Sequence, residues 1–424
     1  MIVLSGADLV LPGRLLGPGS LVIEGDRIVE IRDGGIAAAP GDTHLDLHGH
    51  YVVPGFIDVH VHGLLGVDSL DGPHAVNSIA AALPRYGVTA FCPTSVACSP
   101  SVLRRFLLAV RLARLAPAAQ SARVLPAHLE SNFLNPDYRG AQPVECLRLP
   151  PAPITNSKIG PGPIPAPTPI TVAGIGPGPI SSASYTGADV LAEMERGQAD
   201  IGIVTVAPEL RGGLDLVAIL RSRGHYVSLG HSAADYEQAR AAIAAGASQA
   251  THLFNRMPKI GHRHPGIAGA MLESEEIAAE LVCDGYHVHP AVMRVAIGAK
   301  TPGRVMAITD CTAGAGLPAG AHVTLGGQAI TVDESASFLE DGTLAGSVLT
   351  MDKAFRMLIG RVGLTPVDAA VLCSTTPARE LHMEGFGVLS AGAVADLAVL
   401  DSTCHVIQTW IGGQLAFSAL PAPV

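Results

Sequence analysis

Two patterns of hydrophobic residues alternate along most of this chain. From residue 54 onward, short apolar runs alternate with stretches in which apolar residues recur every three or four positions. The first pattern predicts buried β-strands and the second predicts amphipathic α-helices. Predicted strands cover 52–61, 89–94, 123–129, 201–207, 226–230, 248–252, 278–283 and 304–309, and clear helical patterns cover 102–115, 233–245 and 291–297. This alternation predicts an α/β fold, a (β/α)₈ TIM-like barrel. A doubly wound sheet is the alternative, but the first βα turn lacks the G-x-G-x-x-G pattern.

The two ends of the chain have a different pattern, in which short runs of strand-forming residues are separated by tight turns. Such runs cover 2–4, 20–23 and 27–31 near the start and 396–401 and 405–411 near the end. Neither end alone has enough strands for a stable sheet. We therefore predict that residues 1–53 and 384–424 together form one small β-sandwich domain, with the barrel, 54–383, inserted between them.

One segment interrupts the barrel pattern. Residues 149–184 are almost uncharged and rich in Pro and Gly, and the motif IGPGPI at 159–164 recurs at 175–180. We interpret this insert as a duplicated, extended loop. The alternative is a lid, because the insert follows the third strand on the side where barrel active sites lie.

Composition and charge narrow the class of protein. The 424 residues carry a formal net charge of −10, which leaves no basic surplus for nucleic-acid phosphates. We see no secretion signal near Met1 and no apolar run approaching the roughly 20 residues of a membrane helix. The seven cysteines are scattered without a C-x-x-C pair, which is typical of a reducing compartment. The sequence therefore predicts a cytoplasmic enzyme with a small-molecule substrate, acting on neither nucleic acid nor membrane.

Side chains that bind metals stand where the predicted strands end. His60 and His62 are two residues apart, so both imidazoles point to the same face of a strand and can share one ion. The later strands add four more such residues at their ends: Glu130, His231, His252 and Asp310. Because these strand ends meet at the mouth of a barrel, we predict a divalent metal centre there, with one or two ions. The mixed nitrogen and oxygen ligands suit Zn²⁺ first, with Fe²⁺, Mn²⁺ or Co²⁺ as alternatives.

Several motifs together resemble the amidohydrolase superfamily and, more narrowly, its N-acetylglucosamine-6-phosphate deacetylase family. They are GFIDVHVHG at 55–63, HLE at 128–130, GHS at 230–232, THLFNRM at 251–257, GHRHPG at 261–266, DGYH at 284–287, TD at 309–310 and GTLAGS at 342–347. The resemblance runs from about residue 2 to 413, except for the insert. It implies the barrel with a small β-domain and the hydrolysis of an acetamide to acetate and an amine.

The resemblance also implies roles for individual residues. Glu130, His231 and His252 are then the principal metal ligands, and His60 and His62 can hold a second ion. Asp310 is the general base that later protonates the leaving amine, and His287 helps to stabilise the oxyanion. The implied substrate contacts are Ala141, Gln142, Asn255, Arg256, Arg263, His287, Leu344, Ala345 and Gly346. In this family the Arg263 position reaches the sugar phosphate of the neighbouring subunit, which implies a homodimer.

The sequence departs from the family pattern near the implied pocket. Ser131 and Asn132 replace a usual Gly-Pro, Arg256 stands where a small residue is common, and Gln142 replaces a His of some relatives. The alternatives that stay open are an N-acetylgalactosamine-6-phosphate deacetylase, an N-acyl amino acid hydrolase and a non-catalytic binding protein. A cyclic amidase is disfavoured, since the strand 201–207 lacks the Lys that such enzymes carry.

Overall fold

The computed structural model describes residues 1–36, 39–151 and 185–419. The insert predicted at 149–184 lies almost entirely outside these ranges. The described strands are β1 (Ile2–Leu11), β2 (Arg14–Glu24), β3 (Arg27–Asp33), β4 (Thr43–Asp46), β5 (Tyr51–Pro54), β6 (Phe56–Val61), β7 (Gly63–Leu64), β8 (Val67–Asp68), β9 (Val88–Ser95), β10 (Arg123–Val124), β11 (Ala127–Glu130), β12 (Ile201–Val206), β13 (Tyr226–Leu229), β14 (Gln249–Ala250), β15 (Ala278–Val282), β16 (Val305–Ile308), β17 (His322–Leu325), β18 (Gln328–Val332), β19 (Ala336–Leu339), β20 (Leu344–Ser347), β21 (Leu397–Leu400), β22 (Val406–Ile411) and β23 (Gln414–Ser418).

Helices follow most of the barrel strands. The α-helices are α1 (Ala75–Ala82), α2 (Pro100–Leu115), α3 (Gly187–Arg196), α4 (Gly213–Ser222), α5 (Tyr236–Ala244), α6 (Gly266–Glu273), α7 (Pro290–Lys300), α8 (Met351–Met357), α9 (Pro366–Ala370) and α10 (Thr376–Glu380). Short 3₁₀ turns cover Leu83–Tyr86, Pro136–Tyr138, Val144–Cys146, Gln198–Asp200 and Pro302–Arg304, and π-helical turns cover Leu358–Val362 and Val371–Thr375. Among the helices in these ranges, none has the length and apolar character needed to span a membrane.

Local signals in the sequence explain where these helices begin. Ser99 caps α2 by accepting a hydrogen bond from the backbone N–H of Val102, and Pro100 occupies the first turn, where its missing N–H costs nothing. Asp235 and Gln238 form a reciprocal capping box at the start of α5. These starts fix the lengths of the loops between strand and helix, where the polar strand-end residues lie.

Eight parallel strands form the barrel. Their order is β6, β9, β11, β12, β13, β14, β15 and β16, with each strand paired to the next. A parallel bridge between Val61 and Cys311, with the backbone N–H of Asp310 donating to the carbonyl of His60 at 3.0 Å, brings the last strand back to the first. The barrel strands are almost wholly buried and apolar, as parallel strands covered by helices must be. The predicted (β/α)₈ barrel is confirmed.

The chain ends form a separate sheet, as predicted. Its hydrogen-bonded order is β23, β22, β21, β5, β1, β2 and β3, and β4 pairs with the first half of β1. This sheet buries its own apolar cluster, with Leu4, Leu21, Leu397 and Trp410 among its members. The exact division of the chain at residues 54 and 384 stays a prediction.

Three parts of the fold differ from the strand pattern read from the sequence. The run predicted as one strand at 123–129 forms two strands, β10 and β11, and β11 extends to Glu130. The apolar run 52–61 is divided between two sheets, since Pro54 ends β5 and Phe56 begins β6. Gly55 makes the crossing because a side-chain carbon there would lie 2.2 Å from the Thr89 methyl group on β9. A four-stranded antiparallel sheet, β17 to β20, was not predicted. It carries Leu344–Ser347 to the barrel mouth.

Candidate metal centre

The backbone conformation at three strand-end residues directs their side chains into the mouth of the barrel. His231, His252 and Asp310 each stand two residues beyond the last residue of a barrel strand. Their φ angles are +47°, +29° and +51°, in the left-handed region that residues with a Cβ seldom adopt. Such strain persists where the surrounding structure holds it in place, and it concentrates at functional sites. Glu130 ends β11 and His60 lies within β6, so five different strands supply the site.

Glu130, His231 and His252 converge on one point. The Oε1 atom of Glu130 lies 3.0 Å from Nε2 of His231 and 2.9 Å from Nε2 of His252, and the two imidazole nitrogens are 3.0 Å apart. The Nδ1 atom of His231 lies 2.9 Å from the carbonyl oxygen of Tyr138, so Nδ1 carries the N–H and Nε2 presents a lone pair. Lone pairs of nitrogen and carboxylate oxygen therefore face each other. A divalent cation fits this donor set, since it accepts all three.

A second group of potential ligands adjoins the first. His60, His62 and Asp310 bring their ligand atoms together, with 3.1 Å between the two Nε2 atoms and 3.4 Å from each to Oδ1 of Asp310. The other oxygen of Glu130, Oε2, lies 3.4 Å from Nε2 of His62. The two oxygens of Glu130 thus face the two groups, which is the arrangement of a carboxylate able to bridge two ions.

Burial and charge act in opposite directions on the pKa values of these groups. Burial lowers the pKa of His60 to about 4, although Asp310 and Glu130 oppose it. Burial also lowers the pKa of His62 and of His252, but these imidazoles donate hydrogen bonds to carboxylates, both to Glu130 and His62 also to Asp310, which raise the two pKa values to about 10 and about 9. The carboxylates thus attract positive charge to the mouth. Protons compete with a cation for that place, because bound metal requires neutral imidazoles.

A layer of buried polar residues below the mouth supports the ligands. Glu280 on β15 places Oε2 3.0 Å from Nδ1 of His60 and accepts the backbone N–H of His252 at 3.2 Å. Asp58 accepts hydrogen bonds from the hydroxyl and N–H of Thr309, which precedes Asp310. Neither Glu280 nor Asp58 was predicted from the sequence. The available signal was a single acid inside an apolar strand, which is rare unless it is paired.

A pocket of about 460 Å³, part of it open to solvent, lies above the predicted metal ligands. Twelve of the residues expected to form the site line it: His62, Glu130, Ala141, Gln142, His231, His252, Asn255, Arg256, His287, Asp310, Leu344 and Gly346. Three do not. His60 lies beneath the mouth, Ala345 is packed with Val96 and Ile330 on the other face of β20, and Arg263 is exposed without a hydrogen bond or ion pair to the described residues.

Three substituted positions have structural partners that the family pattern would not supply. The amide of Gln142 is engaged on both sides: its oxygen accepts from the N–H of Ala97 at 2.7 Å, and its nitrogen donates to Oε2 of Glu130. Ser131 donates to the carbonyl of Thr205 at 2.6 Å. Asn132 donates to two further backbone carbonyls at 2.7 and 2.6 Å. Ser131 and Asn132 thus tie the turn after Glu130 to three backbone carbonyls.

The barrel, the strand-end ligands and the adjoining Asp define an amidohydrolase, and the sequence model of the Amidohydrolase family matches residues 221–416. The chain is 34% identical to N-acetylgalactosamine-6-phosphate deacetylase of Escherichia coli O157:H7 over 92% of this chain and 95% of that protein. It is 34% identical to N-acetylglucosamine-6-phosphate deacetylase of Rattus norvegicus over 96% and 90%. The chain therefore belongs to the N-acetylglucosamine-6-phosphate deacetylase family of amidohydrolases.

A solved structure agrees with this assignment. A mutant of N-acetyl-D-glucosamine-6-phosphate deacetylase from Mycobacterium smegmatis, in complex with N-acetyl-D-glucosamine-6-phosphate, has 29% sequence identity and a TM-score of 0.82. The match covers 98% of this chain and 99% of that one. Amidohydrolases are metal-dependent, which agrees with the ligand groups at the mouth.

Proposed function

We propose that this protein hydrolyses the acetamide of N-acetylglucosamine 6-phosphate to glucosamine 6-phosphate and acetate. The convergence of Glu130, His231 and His252 beside Asp310, at the floor of an open pocket, carries the proposal. The names of the relatives support it, and one neighbouring structure contains that substrate.

In this proposal Glu130, His231 and His252 hold the principal ion, and His60, His62 and Asp310 can hold a second. A bound divalent cation supplies Lewis-acid chemistry, which polarises a carbonyl and makes water more acidic. The mixed nitrogen and oxygen donors favour Zn²⁺, with Fe²⁺, Mn²⁺ or Co²⁺ as alternatives. Analysis of the metal content of the purified protein decides among them.

Asp310 is proposed to move the proton. Its carboxylate lies at the mouth beside both ligand groups and lines the pocket, so it can accept a proton from attacking water. It then delivers that proton to the departing amine nitrogen, which makes the C–N bond easier to break. The amide carbon gains the water oxygen and loses the nitrogen, leaving acetate and the free amino sugar.

His287 is proposed to stabilise the negative charge that develops on the carbonyl oxygen. Its Nδ1 lies 2.5 Å from Oδ2 of Asp284, which fixes the ring and turns the other nitrogen towards the pocket that it lines. A donor held in place by a carboxylate needs little reorganisation during reaction. Asn255, Leu344 and Gly346 are proposed to surround the sugar, with backbone groups near Ala345 completing that wall.

A homodimer is also proposed, with Arg263 reaching the neighbouring active site. The exposure of Arg263 and its lack of partners among the described residues support this. The seven cysteines are free thiols, which supports a reducing compartment such as the cytoplasm.

N-acetylgalactosamine 6-phosphate is a second candidate substrate, because a relative with that activity in its name is 34% identical. The experiment is acetate release from both sugar phosphates, from N-acetylglucosamine and from an N-acetyl amino acid, with the metal-loaded protein. We expect the highest kcat/KM with N-acetylglucosamine 6-phosphate. D310N should lose about 100-fold or more in kcat. D215N, on the outer surface of α4, is the matched control. The absence of acetate from every substrate and metal would refute the proposal.

A further inference from the structure

Arg256 places a half-buried guanidinium in the pocket without an acidic partner. It lines the pocket, and among the described residues it forms no ion pair; its hydrogen bond is a long one, 3.4 Å from Nη2 to the carbonyl of Leu344. A charge withdrawn from water normally has a counter-charge. Every other charged group at the pocket floor belongs to the metal centre. The position of Arg256 therefore indicates an anionic ligand.

The backbone at Arg256 is held in a strained conformation. Its φ angle is +54°, in the region that favours Gly, Asn and Asp. The carbonyl of Arg256 accepts the N–H of Ser232 at 3.2 Å, which ties this residue to the turn that carries His231. A strained backbone conformation that a specific hydrogen bond holds in place is typical of a functional residue. The backbone of Arg256 is thus fixed relative to His231, one of the predicted metal ligands.

The opposite wall of the pocket is shaped to receive this side chain. Gly140 has a φ angle of +60°, and a carbon atom at its Cβ position would lie 2.6 Å from Nε of Arg256. Arg139 is the preceding residue, and its exposed side chain forms no ion pair in the described ranges. Burial first, and the like charge of Arg139 second, lower the pKa of Arg256. The exposed carboxylate of Asp341 interacts with Arg139, whereas Arg256 has a like charge and no acidic partner beside it among the described residues. Such a positive group is stabilised by an anion.

We propose that Arg256 forms an anion subsite that binds the phosphate of the substrate within a single subunit, with Arg139 adding positive charge from outside the pocket. A guanidinium forms paired hydrogen bonds with phosphate oxygens, which suits a dianionic ester better than a hydroxyl. That this phosphate belongs to an acetylated sugar rests on the proposed function. The subsite reduces the requirement for Arg263 of a second subunit.

The test measures binding of inorganic phosphate to the full-length, metal-loaded protein by calorimetry. R256G removes the guanidinium and accepts the positive φ without strain, so folding should be retained. We expect it to weaken phosphate binding about 10-fold or more, R139A to weaken it less, and R256K to restore part of it. R111A, on the outer surface of α2, is the charge-matched control and should bind like the parent. Equal affinity in R256G and the parent overturns the proposal.

Turnover then separates this inference from the proposed function. R256G should lower kcat/KM for N-acetylglucosamine 6-phosphate, chiefly by raising KM, and should lower kcat/KM for unphosphorylated N-acetylglucosamine by a much smaller factor. If phosphate binding depends on Arg256 but no sugar phosphate releases acetate, the subsite stands and the deacetylase function fails. If acetate is released and R263A alone raises KM, the function stands and the subsite is wrong.

Discussion

Glu280 is expected to determine how tightly the metal centre holds its ions, although it belongs to neither ligand group at the mouth. Its side chain is fully buried, and its Oε2 atom serves both the ring of His60 and the backbone N–H of His252. Its other oxygen has no hydrogen-bond partner among the described residues and lies 3.6 Å from Nδ1 of His128. The informative substitution is E280Q, which keeps the shape of the side chain and removes the charge.

The structure predicts that E280Q weakens metal binding but hardly changes the stability of the metal-free protein. An acid behind a ligating imidazole increases the basicity of the ligand, and its loss typically weakens metal binding about 10- to 100-fold, or about 1.4–2.8 kcal/mol. In the metal-free protein E280Q should change the free energy of unfolding by less than about 1 kcal/mol, since its carbonyl still accepts both hydrogen bonds and a buried charge is removed. E280A leaves two donors without acceptors and should destabilise by at least about 2 kcal/mol.

The assay is chelator competition for the metal dissociation constant, together with urea denaturation of the metal-free protein. E275Q is the matched control, because Glu275 is exposed in the turn just before β15. A metal affinity of E280Q within twofold of the parent would refute the reasoning. A large loss of stability in metal-free E280Q would show instead that Glu280 serves only to pack the barrel.

Three further predictions concern stability. Burial lowers the pKa of Lys300 from 10.5 to about 8, so burying the charged amine destabilises the fold in full below about pH 8 and not at all above about pH 10.5. In urea denaturation, K300M should therefore raise the free energy of unfolding by about 1–2 kcal/mol at pH 7 and leave it unchanged at pH 10.5. K353M, at an exposed lysine, should change it at neither pH. D396N should lower the free energy of unfolding by about 3 kcal/mol, because Asp396 is buried and accepts two hydrogen bonds from Arg123, whereas exposed E30Q should change it by less than about 0.5 kcal/mol. Metal at 100 times its dissociation constant should add about 2.7 kcal/mol in thermal unfolding, and a melting temperature unchanged by chelator would contradict a metal centre.

The barrel could be predicted because its signal repeats. Each apolar strand ends in a polar residue, and parallel strands must bring those ends together, so the pattern alone predicts that His60, Glu130 and His252 meet. The prediction required no knowledge of loop geometry. It depended on the period of the pattern and on the common direction of the strands.

The supporting contacts could not be predicted, because they depend on register between strands that are distant in sequence. Glu280 meets His60 only because β15 and β6 are both neighbours of β16 in the closed barrel, where inward-facing side chains of alternate strands meet, and a strand pattern does not specify this. The sheet from β17 to β20 is different, since Gly326-Gly327 between alternating runs is an ordinary hairpin signal. Its first two strands were missed because they are short and bury few residues, Leu325 in β17 and Ile330 and Val332 in β18.

Two departures from the family pattern, Gln142 and Arg256, lie on the pocket wall, and none of the departures replaces a predicted metal ligand. Gln142 is held by its hydrogen bonds to Glu130 and to the N–H of Ala97, so its amide has a fixed orientation in this wall. Arg256 adds a positive charge to the same wall. A wall that gains a positive charge discriminates among substrates by their anionic group more than by their hydroxyls. The preference between the two epimeric sugar phosphates should therefore be weak, whereas the preference for phosphorylated over unphosphorylated sugar should be strong.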